Sequence, residues 1–148
     1  MSISCQIGSE IRIEGEQFYK SVGYSGGIND SDIVIISHQD TNVVGMTRLC
    51  EEEGVFVLRG LYVAEALRGT GIGTKLLQAA SKSIGKRECW GVPFRNLLKF
   101  YSSAGFMECR ESGAPEFLVE RINKYISEGM DVVLVKRPFG NSDERGSV

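Results

Sequence analysis

The sequence predicts an α+β fold, an α/β-type mixed sheet with flanking helices, from three observations. β-branched runs separated by tight turns fill the first half. The apolar period lengthens from two to about 3.6 near residue 71. A helical segment then separates the third run from a fourth. With 148 residues the chain has the size of one domain. Such a domain buries roughly 68–70% of its unfolded surface, so its core requires neither disulfides nor a structural metal.

Residues 1–32 carry the weakest pattern. Ile11 and Ile13, joined by Ile3 and Ile7, alternate as in a strand, and residues 16–22 suit a short helix ending near Gly23. Tyr24-Ser25-Gly26-Gly27 reads as a loop. Residues 32–36 then make a β-branched strand, Asp40-Thr41-Asn42 a turn, and residues 43–50 a second strand. Glu51-Glu52-Glu53-Gly54 turns the chain into a third, strongly apolar strand at Val55–Val63. Two tight connections make these an antiparallel meander.

Between residues 71 and 84 apolar side chains fall at Ile72, Leu76, Leu77, Ala80 and Ile84. That spacing predicts an amphipathic helix, closed by Gly85. Residues 88–92 form a short strand. A second helix spans 94–104, carries Leu97, Leu98, Phe100 and Tyr101, and ends at Gly105. A third spans 115–128: Pro115 suits its first turn, Leu118, Ile122 and Tyr125 form its stripe, and Gly129 stops it. Residues 130–135 complete the strands. A crossover helix between Val55–Val63 and residues 88–92 requires those strands to run parallel. The expected organisation is one domain over 1–139 and a polar tail over 140–148.

Composition excludes several classes. A net charge of −2 provides no basic field for nucleic-acid phosphates or anionic lipid, and Lys86-Arg87 and Lys136-Arg137 read as charges flanking strands. The first 30 residues lack a signal-peptide pattern and no apolar run approaches 18 residues, so a cytoplasmic protein without membrane partners is expected. Cys5, Cys50, Cys89 and Cys109 form no CxxC pair, and His38 is the one histidine. A Cys/His metal site is therefore not expected. The cysteines read as reduced thiols, with an active-site cysteine as the alternative.

The chemistry lies at Arg68-Gly69-Thr70-Gly71-Ile72-Gly73-Thr74. A strand leads through a short loop into glycines that open a helix. Unpaired N–H groups and the positive end of the helix dipole make an anion site there. Glycines let a phosphate approach the backbone because no Cβ intervenes. Such a loop suits a pyrophosphate. It is not a Walker A loop, which requires Gly-x4-Gly-Lys-Ser/Thr. Nor is it a dinucleotide fingerprint: Gly69, Gly71 and Gly73 give Gly-x-Gly-x-Gly after an antiparallel meander, not Gly-x-Gly-x-x-Gly in a parallel unit. The plain alternative is a glycine-rich turn without a ligand, at about 1 kcal/mol per helical glycine relative to Ala.

Arg68-x-x-Gly71-x-Gly73 after an apolar strand resembles the Arg/Gln-x-x-Gly-x-Gly/Ala signature of the GNAT superfamily of N-acyltransferases. Downstream, Phe100-Tyr101-Ser102-Ser103-Ala104-Gly105-Phe106 resembles that superfamily's helix ending in Phe-Tyr-x-x-x-Gly-Phe. The likeness covers about residues 32–138. It implies an N-acetyltransferase that uses acetyl-CoA as co-substrate and no metal, with an amine attacking the thioester directly. It also implies that the third strand and its parallel neighbour splay apart, with the pantetheine arm pairing to the backbone of Leu61, Tyr62 and Val63. Gly69, Thr70, Gly71, Ile72, Gly73 and Thr74 would then donate N–H bonds to the pyrophosphate. Arg68 adds charge there, or is a solvated loop residue.

Tyr101 matches the superfamily's general acid: a phenol with pKa ~10 holds a proton to give to the departing thiolate at pH 7. Its alternative role is a core aromatic. Relatives carry an Asn near the start of the second helix; Phe94 holds that position here, leaving Asn96, two residues later, as a candidate coenzyme contact. An alkyl amine with pKa ~10.4 is only about 0.04% neutral at pH 7, so its proton must be removed. Val55–Val63 contains no acid. Glu88, His38 or a water chain are the candidates, and the base stays unassigned. Arg59 binds an acidic group of the acceptor, or pairs with Glu51, Glu52 or Glu53. The stretch Tyr125 to Gly129 resembles a subgroup of the same superfamily.

The expected partner is an amine-bearing small molecule or protein, and a homodimer is an allowed assembly. A non-catalytic acyl-CoA sensor on the same fold and a nucleotide-binding protein are the competing readings.

Overall fold

The computed structural model describes residues 1–140. A seven-stranded sheet has the order β1-β2-β3-β4-β5-β7-β6. Its strands are β1 (Ser2–Ile7), β2 (Ile33–Gln39), β3 (Asn42–Glu52), β4 (Val55–Val63), β5 (Cys89–Gly91), β6 (Met107–Glu108) and β7 (Val135–Arg137). Among the described residues four α-helices cover it: α1 (Gly8–Ser21), α2 (Ile72–Ile84), α3 (Leu98–Ser102) and α4 (Glu116–Ser127). β1 to β4 are antiparallel, β4 and β5 parallel, and β7 lies antiparallel between β5 and β6. The mixed α+β sheet is as expected, with the meander one strand longer at its β1 edge.

Side-chain alternation divides the core. Ile35, Leu49, Leu58, Cys89 and Val135 pack under α2 and α3 with Leu76, Leu77 and Phe106. On the opposite face Val34, Ile36 and Met46 pack against Ile11, Phe18 and Tyr19 of α1. Val57, Trp90 and Leu134 pack against Leu118 and Ile122 of α4. α1 and α4 therefore share one face of the sheet, and α2 and α3 the other.

Three expectations need correction. Ile11 and Ile13 lie in α1, not in a strand: Gly8, Ile11, Gly15, Phe18 and Tyr19 are buried at helical spacing, while Ile13 is exposed. Ile3 and Ile7 do lie in a strand, but an edge strand that is largely exposed and so shows no clear alternation. The helix expected over 94–104 is a 3-10 turn at Arg95–Leu97 followed by the short α3. Phe94 is held extended by a bridge to Val132, and the Arg95 amide donates to the Asp131 carbonyl at 2.9 Å. The last strand begins at Val135 rather than near Met130, and includes Lys136 and Arg137. The expected polar tail lies, apart from Gly140, outside the described residues; the Gly140 amide donates to the Lys86 carbonyl at 2.7 Å.

Two arginines are buried among the described residues. Arg137 donates to the carbonyls of Ala104 (3.0 Å) and Gly85 (2.6 Å) and to the Ser81 hydroxyl (2.9 Å). It thereby satisfies acceptors left at the ends of α3 and α2. Arg48, 2% exposed, pairs with the equally buried Asp32 at 3.0 Å and also donates to the hydroxyls of Tyr19 (3.1 Å) and Tyr24 (3.2 Å).

β4 carries a bulge. Met46 and Arg48 of β3 oppose Tyr62 and Arg59, so one extra residue sits in β4 between them. Gly60 takes it up at φ +63°, and Tyr19 donates its hydroxyl proton to the Gly60 carbonyl at 2.8 Å. A Cβ on Gly60 would overlap the Tyr19 hydroxyl. Left-handed strain of about 1–2 kcal/mol plus overpacking of about 1–3 kcal/mol predicts that Gly60→Ala loses roughly 2–5 kcal/mol. Thermal unfolding should show a drop of roughly 4–20 °C. A single variant melting with the wild type would refute the strained bulge.

Candidate active site

β4 and β5 pair over only three positions, Phe56 with Cys89, Val57 with Trp90 and Leu58 with Gly91. Beyond Leu58 the strands separate for two reasons visible in the chain. The bulge at Gly60 turns β4, and Pro93, which has no N–H, ends the ladder two residues after Gly91. Leu61, Tyr62 and Val63 are half-buried along the resulting fork. Leu61 and Val63 face the α2 side; Tyr62 faces the α1 side with Tyr24 and Tyr19.

The chain leaves β4 through a 3-10 turn at Glu65–Leu67 and reaches the glycines. Gly71 caps α2 at φ +92°, and Gly69 lies at φ +83°. A Cβ on either would meet nothing within 4 Å, so their left-handed backbone rather than crowding requires glycine. Ile72 is 2% exposed and anchors the first turn in the core, while Gly69, Thr70, Gly71 and Thr74 face outward. No side chain caps this end, and the first intrahelical bond runs from the Lys75 amide to the Gly71 carbonyl. The amides of Ile72, Gly73 and Thr74 thus point out of the helix start as free donors. Arg68, exposed, donates from Nε to the Val63 carbonyl at 3.3 Å and so braces the loop against the end of β4.

Tyr101 lies on the α2 side of the fork, in the same apolar cluster as Leu61 and Val63. Its ring stands edge-on to Phe100 and Phe106, with centroids 5.6 and 5.9 Å away. Phe100 in turn reaches to 3.5 Å from where a Gly73 Cβ would stand, so α3 abuts the start of α2. Burial raises the Tyr101 pKa above the ordinary phenol value, and the nearby Tyr62 phenol adds to the rise. The hydroxyl donates to no acceptor among the described residues. Asn96, exposed, lines a depression of about 490 Å³ with Arg95, Lys99 and Glu108 beside β6.

The candidate bases lie away from the fork. Glu88 precedes β5 at the closed end; its two oxygens accept from Trp90 Nε1 and Lys136 Nζ, each at 3.1 Å. His38 is in β2, two strands from β4. Arg59 approaches Glu52 at 3.7 Å, the pairing alternative read from its position. Burial pushes the Cys50 and Cys89 thiols up to about 12, which leaves them protonated and poor nucleophiles. Among the described residues no cluster of three metal-ligating side chains occurs, and no helix is long and apolar enough to cross a membrane. Sequence reasoning missed Gly60, Tyr19 and Tyr24; a lone glycine inside an apolar strand was the available sign of the bulge.

A forked sheet with free amides beyond one prong sets anion-binding donors beside a groove. The sequence profile of the acetyltransferase (GNAT) domain matches residues 29–108, more than half of the chain. The protein belongs to the GNAT acetyltransferase family, whose members carry out acyl-CoA-dependent acyl transfer. No curated protein sequence matches it. Among solved structures, an acyl-CoA N-acyltransferase from Pseudomonas aeruginosa is 14% identical, with a TM-score of 0.67 over 93% of this chain and 99% of that one. Arabidopsis thaliana Naa50, in complex with the bisubstrate analogue CoA-Ac-MVNAL, is 19% identical, with a TM-score of 0.59 over 94% of this chain and all of that one. N-acetylglutamate synthase from Neisseria gonorrhoeae, complexed with coenzyme A and N-acetyl-glutamate, is 16% identical, with a TM-score of 0.60 over 95% of this chain but 36% of that one. These likenesses establish the shared fold.

Proposed function

We propose that the protein is an N-acetyltransferase that moves the acetyl group of acetyl-CoA to a primary amine by direct attack. The observation that carries this reading is the fork between β4 and β5 leading to the free amides at the start of α2. In it the pantetheine arm lies along Leu61, Tyr62 and Val63, and the pyrophosphate takes N–H bonds from Gly69 to Thr74, with Arg68 adding charge and Asn96 a further contact. The amine nitrogen bonds the thioester carbon, the C–S bond breaks, and the thiolate takes a proton from Tyr101. The amine's own proton passes to solvent water, since Glu88 and His38 lie away from the fork. Coenzyme-bound relatives of the same fold, Naa50 and N-acetylglutamate synthase, support the reading by analogy.

Calorimetry with CoA and acetyl-CoA, followed by thiol release over a panel of amines, tests it. Gly73→Glu places a carboxylate among the amides that are to hold phosphate, and is expected to weaken CoA binding by roughly a hundredfold or more. Unchanged CoA affinity in that variant would remove the loop from the site. The distance of Glu88 and His38 from the fork favours a second reading, a non-catalytic acyl-CoA sensor. CoA binding without turnover on any amine would select it.

A further inference from the structure

The face of the sheet between α1 and α4 holds three arginines close to two carboxylates. Arg48 is committed to Asp32, Tyr19 and Tyr24. Both oxygens of Glu52 accept from Arg121 of α4, at 2.6 and 3.1 Å. Arg59 is the third. It comes only to 3.7 Å from the Glu52 carboxylate, and its side chain is 29% exposed. Among the described residues its guanidinium donates no hydrogen bond. A guanidinium offers five N–H donors and keeps its charge at every physiological pH, so Arg59, whose one neighbouring carboxylate is already held by Arg121, keeps donors and positive charge to offer an arriving anion.

Its position gives that charge a use. Leu58 is the last β4 residue paired with β5, and Arg59 is the next, at the root of the fork. The Arg59 side chain points to the α1 and α4 face, opposite Tyr101, toward Glu52 and Cys50. Tyr62 lies on that face with its ring 4.8 Å from that of Tyr24 and with Tyr125 near enough to act on it electrostatically, and none of the three brings a carboxylate to compete for the cation. The coenzyme's phosphates belong at residues 69–74, past the other end of Val55–Val63, so they are not the anion that Arg59 meets.

We infer that Arg59 is a specificity determinant for a carboxylate on the acceptor, so that the substrate is an amine that also bears a carboxylate. The inference rests on the fork being the acyl-transfer site. The test compares pairs of amines that differ only in that group, an amino acid with its amide and with the amine left when its carboxylate is removed. Binding to CoA-saturated protein is read by calorimetry, and turnover by thiol release. A charge-assisted pair gives the carboxylate member a preference of roughly tenfold to a hundredfold. Arg59→Gln should erase that preference while leaving CoA affinity unchanged, and Arg59→Lys should retain part of it. Peptides with an acidic or a neutral second residue then tell a free amino acid from a polypeptide as the source of the carboxylate. Equal binding of paired amines by the wild type, no binding of any carboxylate-bearing amine, or a preference that persists in Arg59→Gln overturns the inference. Failure to bind CoA at all instead removes the acyl-transfer reading, and this inference with it.

Discussion

Tyr101→Phe is expected to lower turnover by about a hundredfold while CoA affinity changes less than about twofold. In the proposed mechanism the ring is the structural part of this residue and the hydroxyl the chemical part. Phenylalanine keeps the edge-on packing against Phe100 and Phe106 and leaves the cluster with Leu61 and Val63 intact. Only the proton donor is lost. General acids contribute roughly 10²–10⁴-fold, and the lower end applies because a thiol of pKa ~8.5 is a tolerable leaving group even without a proton. Burial lifts the phenol pKa, so the acid stays protonated through neutral and mildly alkaline pH. The rate should therefore show no alkaline decline that belongs to Tyr101 below pH ~10. An unchanged kcat in the phenylalanine variant would reduce Tyr101 to a core aromatic.

Asp32→Ala should be the most destabilising of the single changes considered. It strands the Arg48 guanidinium, 2% exposed, without its carboxylate, and also removes the acceptor of the Asn29 amide at 2.9 Å. Breaking a buried pair from one side costs about 3–5 kcal/mol, a fifth or more of the stability of a typical domain, about 5–15 kcal/mol. The melting temperature should fall by roughly 6–20 °C. The Asp32→Ala, Arg48→Met double variant discriminates between causes, because replacing the whole pair with apolar groups is often neutral. Recovery in the double variant identifies the unpaired charge as the cost. A double variant no more stable than the single would assign the loss to the Tyr19 and Tyr24 contacts of Arg48 instead.

Legibility in the sequence followed the strength of local signals. β4 was bounded at Val55 and Val63 because turn residues precede it and the glycine loop follows it. α2 was equally clear, since its buried residues repeat at helical spacing between two glycines. α1 was obscured because Ile13 is exposed while Gly8 and Gly15 are buried, the reverse of what their types announce. The end of the chain misled for a related reason: Val132 to Val135 look like a strand, but the ladder continues through Lys136 and the buried Arg137. Charge marks a residue as exterior until its partners are known, and the partners of Arg48 and Arg137 come from distant segments. The glycine loop and Tyr101 were legible as short patterns. The bulge that opens the fork was not, because it arises from the count of residues between two strands.

Arg137 has a consequence for the order of events during synthesis. The carbonyls it holds, at Gly85 and Ala104, lie 52 and 33 residues upstream, and the strand that carries it is what separates β5 from β6. A nascent chain stopped short of residue 137 has its first four strands and α2 available for collapse, yet β5 can pair on one edge only. Closure of the second half is thus a late, long-range step, the kind that slows folding and leaves apolar strand edges exposed to other chains until translation has passed that point.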